Sequence, residues 1–109
     1  MADTTIAFYG VKFEMGDLDL DLLESRIHPF QIAAKRFGLD SYWGNFEGPN
    51  ERFLLFVGRL LGKLGFEDRM EIQMTPDELM NVVQTVTAKL RDAGISDAAM
   101  LHLDFQPDP

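Results

Sequence analysis

The sequence predicts an α+β domain, a single antiparallel or mixed sheet of four or five strands with two helices on one face. Three observations predict it. Segments rich in β-branched and aromatic residues alternate with two amphipathic stretches at helical spacing. Glycine, proline and asparagine punctuate the joints between them. The chain has 109 residues, 46% hydrophobic and 26% charged, the balance of a folded protein and the length of one domain, 1–109. Such a chain buries roughly two-thirds of its unfolded surface, enough for a core without disulfides or a metal.

The first strand spans 4–15, with Ala7, Tyr9, Val11, Phe13 and Met15 sharing one parity. Both parities are apolar at its start, which places it inside the sheet, and Gly10 marks a bulge or a close backbone approach. Asp21-Leu22-Leu23-Glu24 reads as a capping-box variant. Leu23, Ile27, Phe30, Ala34 and Phe37 follow on one helical face, ended by Gly38. Pro29 lacks the backbone donor a helix interior needs, so a kink or break is expected near His28. Three short strands are then expected over 41–47, 52–57 and 69–74, the last with Met70, Ile72 and Met74 facing inward. The glycine-rich stretch 58–66 favours a bent or irregular path. Thr75-Pro76-Asp77-Glu78 is a full capping box with proline at the first helical position. Leu79, Val83, Val86, Leu90 and Ala93 form the stripe of that helix, and Gly94 stops it. A last strand, 100–105, alternates with Leu101, Leu103 and Phe105 inward. The nearest named pattern is a ferredoxin-like or split βαβ variant, which carries no function by itself. The expected core is Phe8, Phe13, Leu23, Ile27, Phe37, Phe53, Leu55, Ile72, Val83, Val86, Leu90, Leu101 and Leu103.

Charge narrows the partners. Eighteen acids against ten bases give a net charge of −8. The acids concentrate in residues 1–25 and 70–109, while 26–69 is mildly basic. Such a chain repels phosphate backbones and anionic membrane surfaces, so no nucleic acid and no membrane partner is expected. No apolar run approaches the roughly 18 residues of a membrane-spanning helix. Met1-Ala2-Asp3-Thr4 lacks the basic and apolar regions of a secretory leader, so a cytoplasmic location is expected. The absence of cysteine rules out disulfides, thiolate metal sites and cysteine nucleophiles.

Motif tests remove most chemistries. Gly58, Gly62 and Lys63 lack both the spacing and the Ser or Thr of a phosphate-binding loop. Asp17, Asp19 and Asp21 alternate as in a calcium loop, but Leu22 and His28 stand where that loop needs glycine and glutamate. A helix start accounts for these acids more simply. His28 and His102 lack any paired metal spacing, and no G-x-S-x-G elbow occurs. No metal and no cofactor is expected. His102 and Asp104 share one strand face and are weak candidates for acid–base work.

The aromatic segment 42–47 is the strongest binding feature. Tyr42 and Phe46 fall on one strand face, Trp43, Asn45 and Glu47 on the other, so one set faces the less protected side. Partner contact, self-association and core packing all account for it. The leading reading is a small acidic non-enzymatic binding or regulatory module, an inhibitor- or antitoxin-like partner of a basic protein surface. Tyr42, Trp43, Asn45, Glu47, Asp17, Asp19 and Asp21 are its candidate contact residues. One alternative is a small enzyme or ligand-binding protein using His102 and Asp104 near an aromatic pocket. The other is a homo-oligomeric scaffold subunit such as a homodimer.

Overall fold

The computed structural model describes residues 3–107. Met1 and Ala2, read above for a leader, and Asp108, part of the acidic C-terminal block, lie outside the described residues. The elements are β1 (Thr4–Met15), α1 (Leu20–Glu24), α2 (Pro29–Arg36), β2 (Asp40–Asn45), β3 (Phe53–Gly65), α3 (Pro76–Asp92) and β4 (Met100–Gln106). One sheet runs in the order β2-β3-β1-β4, every neighbouring pair antiparallel. That is the split βαβ arrangement of an α+β fold.

The helices share one face. Leu23, Ala34, Val82, Val86 and Leu90 pack there with Tyr9, Val11, Leu55 and Val57 of the two central strands. Helix α3 forms where its capping box predicts: Thr75 Oγ1 accepts the Glu78 N–H, and Glu78 Oε1 accepts the Thr75 N–H, each at 3.1 Å. The first helical region is two pieces. Arg26 adopts φ 61°, and His28 caps α2 by accepting the Phe30 N–H at Nδ1. Pro29 thus opens a helix instead of bending one. The break turns Ile27 outward, correcting its place in the expected core. Helix α1 begins at Leu20 with Asp19 as its N-cap, two residues before the expected Asp21.

The strand expected over 69–74 does not form. Strand β3 already has β2 and β1 on its two sides, so it offers no edge for another strand. The chain reverses after Gly65, leaves a single bridge between Leu64 and Arg69, and lays Ile72 across Gly62. Met70 is exposed, while Ile72 and Met74 are half-buried.

The opposite sheet face is concave. Gly10 of β1 pairs with Gly58 of β3, and a Cβ on either would collide with the facing strand's backbone. The ribbon folds across this glycine crease. Lys12 lies six residues along β1 from Ile6, the partner of Asp104, about 20 Å in a flat sheet. Yet Lys12 Nζ sits 3.2 Å from Asp104 Oδ1. Likewise Tyr42, on one edge strand, donates its hydroxyl proton to Gln106 Oε1 on the other. Folding encloses Ile6, Phe8, Phe46, Leu54 and Phe56, a second apolar cluster with no helix over it.

Candidate functional site

His102 and Asp104 lie on the concave side, opposite Phe8 and Ile6 of β1. They do not work on each other. His102 Nε2 donates to the Gly10 carbonyl at 3.0 Å, and its ring meets Phe56 edge to face. Asp104 takes the Lys12 ammonium instead. Both side chains tie the two halves of the folded sheet together, and neither lines the clefts described below.

The aromatic segment is divided between the two cores. Trp43 packs in the helix-side cluster, and Tyr42 and Phe46 pack in the concave one. Burial is the main cause that pushes the Tyr42 hydroxyl above its ordinary value, partly offset by its bond to Gln106. Lys63 Nζ stands 4.8 Å over the Tyr42 ring. Asn45 has a structural job: Nδ2 donates to the Gly48 carbonyl, and Oδ1 accepts the Glu47 and Arg52 N–H groups. It closes the β2–β3 connection as an Asx turn. Glu47 is exposed.

Asp17 and Asp21 are exposed, and Asp19 is engaged. Asp19 Oδ2 accepts the Gly16 N–H at 3.0 Å, and Oδ1 lies 3.7 Å from His28 Nε2. This acidic turn follows Met15, whereas β4 pairs with β1 only from Thr4 to Gly10. The acids therefore sit beyond the β4 ladder and are not gathered with the residues of that strand. No cluster of three or more metal-ligating side chains occurs among the described residues.

Among the described residues, two clefts open to solvent stand out. One, about 400 Å³, lies between the end of α3 and the following loop, lined by Leu90, Arg91, Ile95 and Ala99 among others. The other, about 690 Å³, runs beside β2 and includes Arg26, Gln31, Lys35, Tyr42 and Trp43. Gln31 is buried and already occupied, donating to the Leu23 carbonyl and accepting the His28 N–H. The cleft beside β2 has a polar lining that includes Arg26, Lys35, Asp40, Ser41 and Tyr42, whereas the one at the end of α3 is mainly apolar.

What the periodicity of 100–105 concealed is an uncovered row. Leu101, Leu103 and Phe105 pair with Tyr9, Ala7 and Thr5, so they occupy the helix-side face as their alternation requires. No helix covers them there: they are 52%, 64% and 58% exposed. Strand β4 is also a sheet edge, free of strand pairing along one side. It contains neither lysine nor proline, two of the residues that ordinarily protect an edge, and its carboxylate, Asp104, is turned inward onto Lys12. The signal was present in the sequence as an unguarded apolar strand, but it read equally well as core. Comparison with protein-family models, curated proteins and solved structures gives no match.

Proposed function

We propose that the protein is a non-enzymatic binding module that acts through protein–protein contact, with β4 as its recognition element. The supporting observation is the coincidence, on one strand, of an unpaired edge and an exposed apolar row of Leu101, Leu103 and Phe105. Strand addition supplies main-chain hydrogen bonds along such an edge, and alternate side chains supply the specificity. Tyr42, Trp43 and Asn45 serve the scaffold in this reading, and the exposed Asp17, Asp21 and Glu47 act at long range by steering the approach of a partner. Among the described residues no helix is long and apolar enough to cross a membrane.

The test is site-directed photo-crosslinking in the native cell. A photoreactive phenylalanine analogue at Leu103 is expected to trap a discrete adduct, whereas the same analogue at exposed Asp92 on α3 traps none. Equal, diffuse labelling at both positions, or none at Leu103, overturns the reading.

A further inference from the structure

We propose that the occupant of the β4 edge is a second copy of this chain, paired antiparallel about a twofold axis through Leu103; this rests on the recognition role assigned to β4 above. An axis perpendicular to the sheet keeps each face with its own kind, so only residues of like parity meet. With the axis at Leu103, all seven residues from Met100 to Gln106 find partners. Leu103 meets its own copy. Leu101 meets the second copy's Phe105 on the helix side, twice, and joins two apolar rows that are each half exposed in the single chain.

On the concave side the same register sets His102 against the second copy's Asp104, also twice. An imidazolium and a carboxylate are complementary at that distance, as opposite cross-strand partners should be. The groups already present allow it. Lys12 occupies Oδ1 of Asp104 and the Gly10 carbonyl takes the Nε2 proton of His102, so the new contact runs from a second ring proton, on Nδ1, to Oδ2. The neighbouring registers are worse. An axis at Asp104 stacks two carboxylates of a chain whose net charge is −8, and one at His102 stacks two imidazoles and sets Phe105 against Ala99, outside the strand. Leu-His-Leu-Asp-Phe is self-complementary about Leu103, apolar against apolar and His against Asp, and that match is the argument for a second copy over an unrelated protein. The product is a continuous eight-stranded sheet in which both β4 edges disappear.

Sedimentation equilibrium on the full chain is expected to give twice the single-chain mass. Leu103→Lys puts two ammonium groups on the axis and is expected to weaken association by about 100-fold or more. Its circular dichroism and melt should stay cooperative, because Leu103 is mostly exposed in the single chain. The register is read with cysteines, which the chain otherwise lacks. Cα atoms across an antiparallel pair stand about 4.5–5.5 Å apart, within disulfide reach. Leu103→Cys is expected to cross-link to itself on oxidation. Leu101→Cys is expected to do so only when mixed with Phe105→Cys. A single-chain mass at millimolar concentration overturns the dimer. So does a dimer that survives Leu103→Lys without forming the 103–103 disulfide. A photo-crosslink at Leu103 to a different protein, alongside a single-chain mass, removes the second copy and leaves the recognition role standing; no crosslink at all removes both.

Discussion

Phe56→Ala probes the claim that the helix-free face of the sheet is a true second core. The Phe56 ring is fully buried, with its centroid 5.4 Å from that of Phe8, 5.6 Å from Phe46 and 5.7 Å from His102. Removing a buried phenylalanine side chain costs about 3–5 kcal/mol, the transfer free energy of the ring plus a residual cavity. The upper part of that range is expected here. The neighbours that would have to collapse are fixed in place by the Lys12–Asp104 ion pair and the Tyr42–Gln106 hydrogen bond across the fold. A chain of this size loses roughly 4–8 °C of Tm per kcal/mol, so the midpoint should fall by at least about 12 °C. Urea unfolding, followed by circular dichroism and by the single tryptophan, Trp43, gives the free energy directly. Phe66→Ala is the matched control, since Phe66 is 87% exposed and its loss should stay within about 0.5 kcal/mol. A Phe56→Ala cost below about 1 kcal/mol with an unchanged urea slope would refute the reasoning, because it would mean water already reaches that face.

Further outcomes follow from the same geometry. Val86→Asp buries an uncompensated carboxylate under the helix layer, where Val86 is fully enclosed, and should abolish the cooperative melt. Because the folded chain holds the Tyr42 proton more tightly than the unfolded chain, that stabilisation is complete below the unfolded value and is lost as pH rises through the folded one. Tyr42→Phe should therefore flatten the fall of Tm between about pH 9 and 12, while costing about 0.5–1.5 kcal/mol at neutral pH for the lost bond to Gln106. Asp19→Ala should cost about 1 kcal/mol in urea midpoint experiments, through its lost bond to Gly16, whereas exposed Asp21→Asn should stay within about 0.5 kcal/mol.

Local rules were legible in the sequence wherever one segment carries its own instructions. Helix α3 obeys its capping box, and Gly94 ends it at φ 78°. Of its expected stripe Val86 and Leu90 are buried and Val83 and Ala93 partly so, while Leu79 is exposed and Val82 is buried in addition. Helical spacing orients a face, but neighbouring elements decide where its centre lies. Strand β4 makes the same point more sharply. Alternation assigned Leu101 and Leu103 to the correct side of the sheet, yet it contains nothing about whether a helix reaches them. The 69–74 segment alternates too, but the sheet had no edge beside β3 to receive it. The concave core was illegible for another reason. Its closure depends on Gly10 and Gly58 meeting across two strands, and on His102, Asp104 and Tyr42 finding partners distant in the chain. A carboxylate beside an imidazole in sequence suggested chemistry, and the fold uses the pair as separate fasteners.

The central position of β1 has a consequence for how the chain is made. Thr4 pairs with Gln106 and Gly10 with Met100, so β1 completes this ladder only after β4, 90 to 102 residues further along, has emerged. At about 5–20 residues per second, β1 waits several seconds with apolar groups on both of its faces. Its other ladder, with β3, also spans a long loop. Contacts this distant along the chain slow the search for the native state. The vulnerable moment of this protein is therefore its biogenesis. Chaperone demand, co-translational aggregation and sensitivity to translation speed should all track the waiting β1 strand more closely than they track the stability of the finished fold.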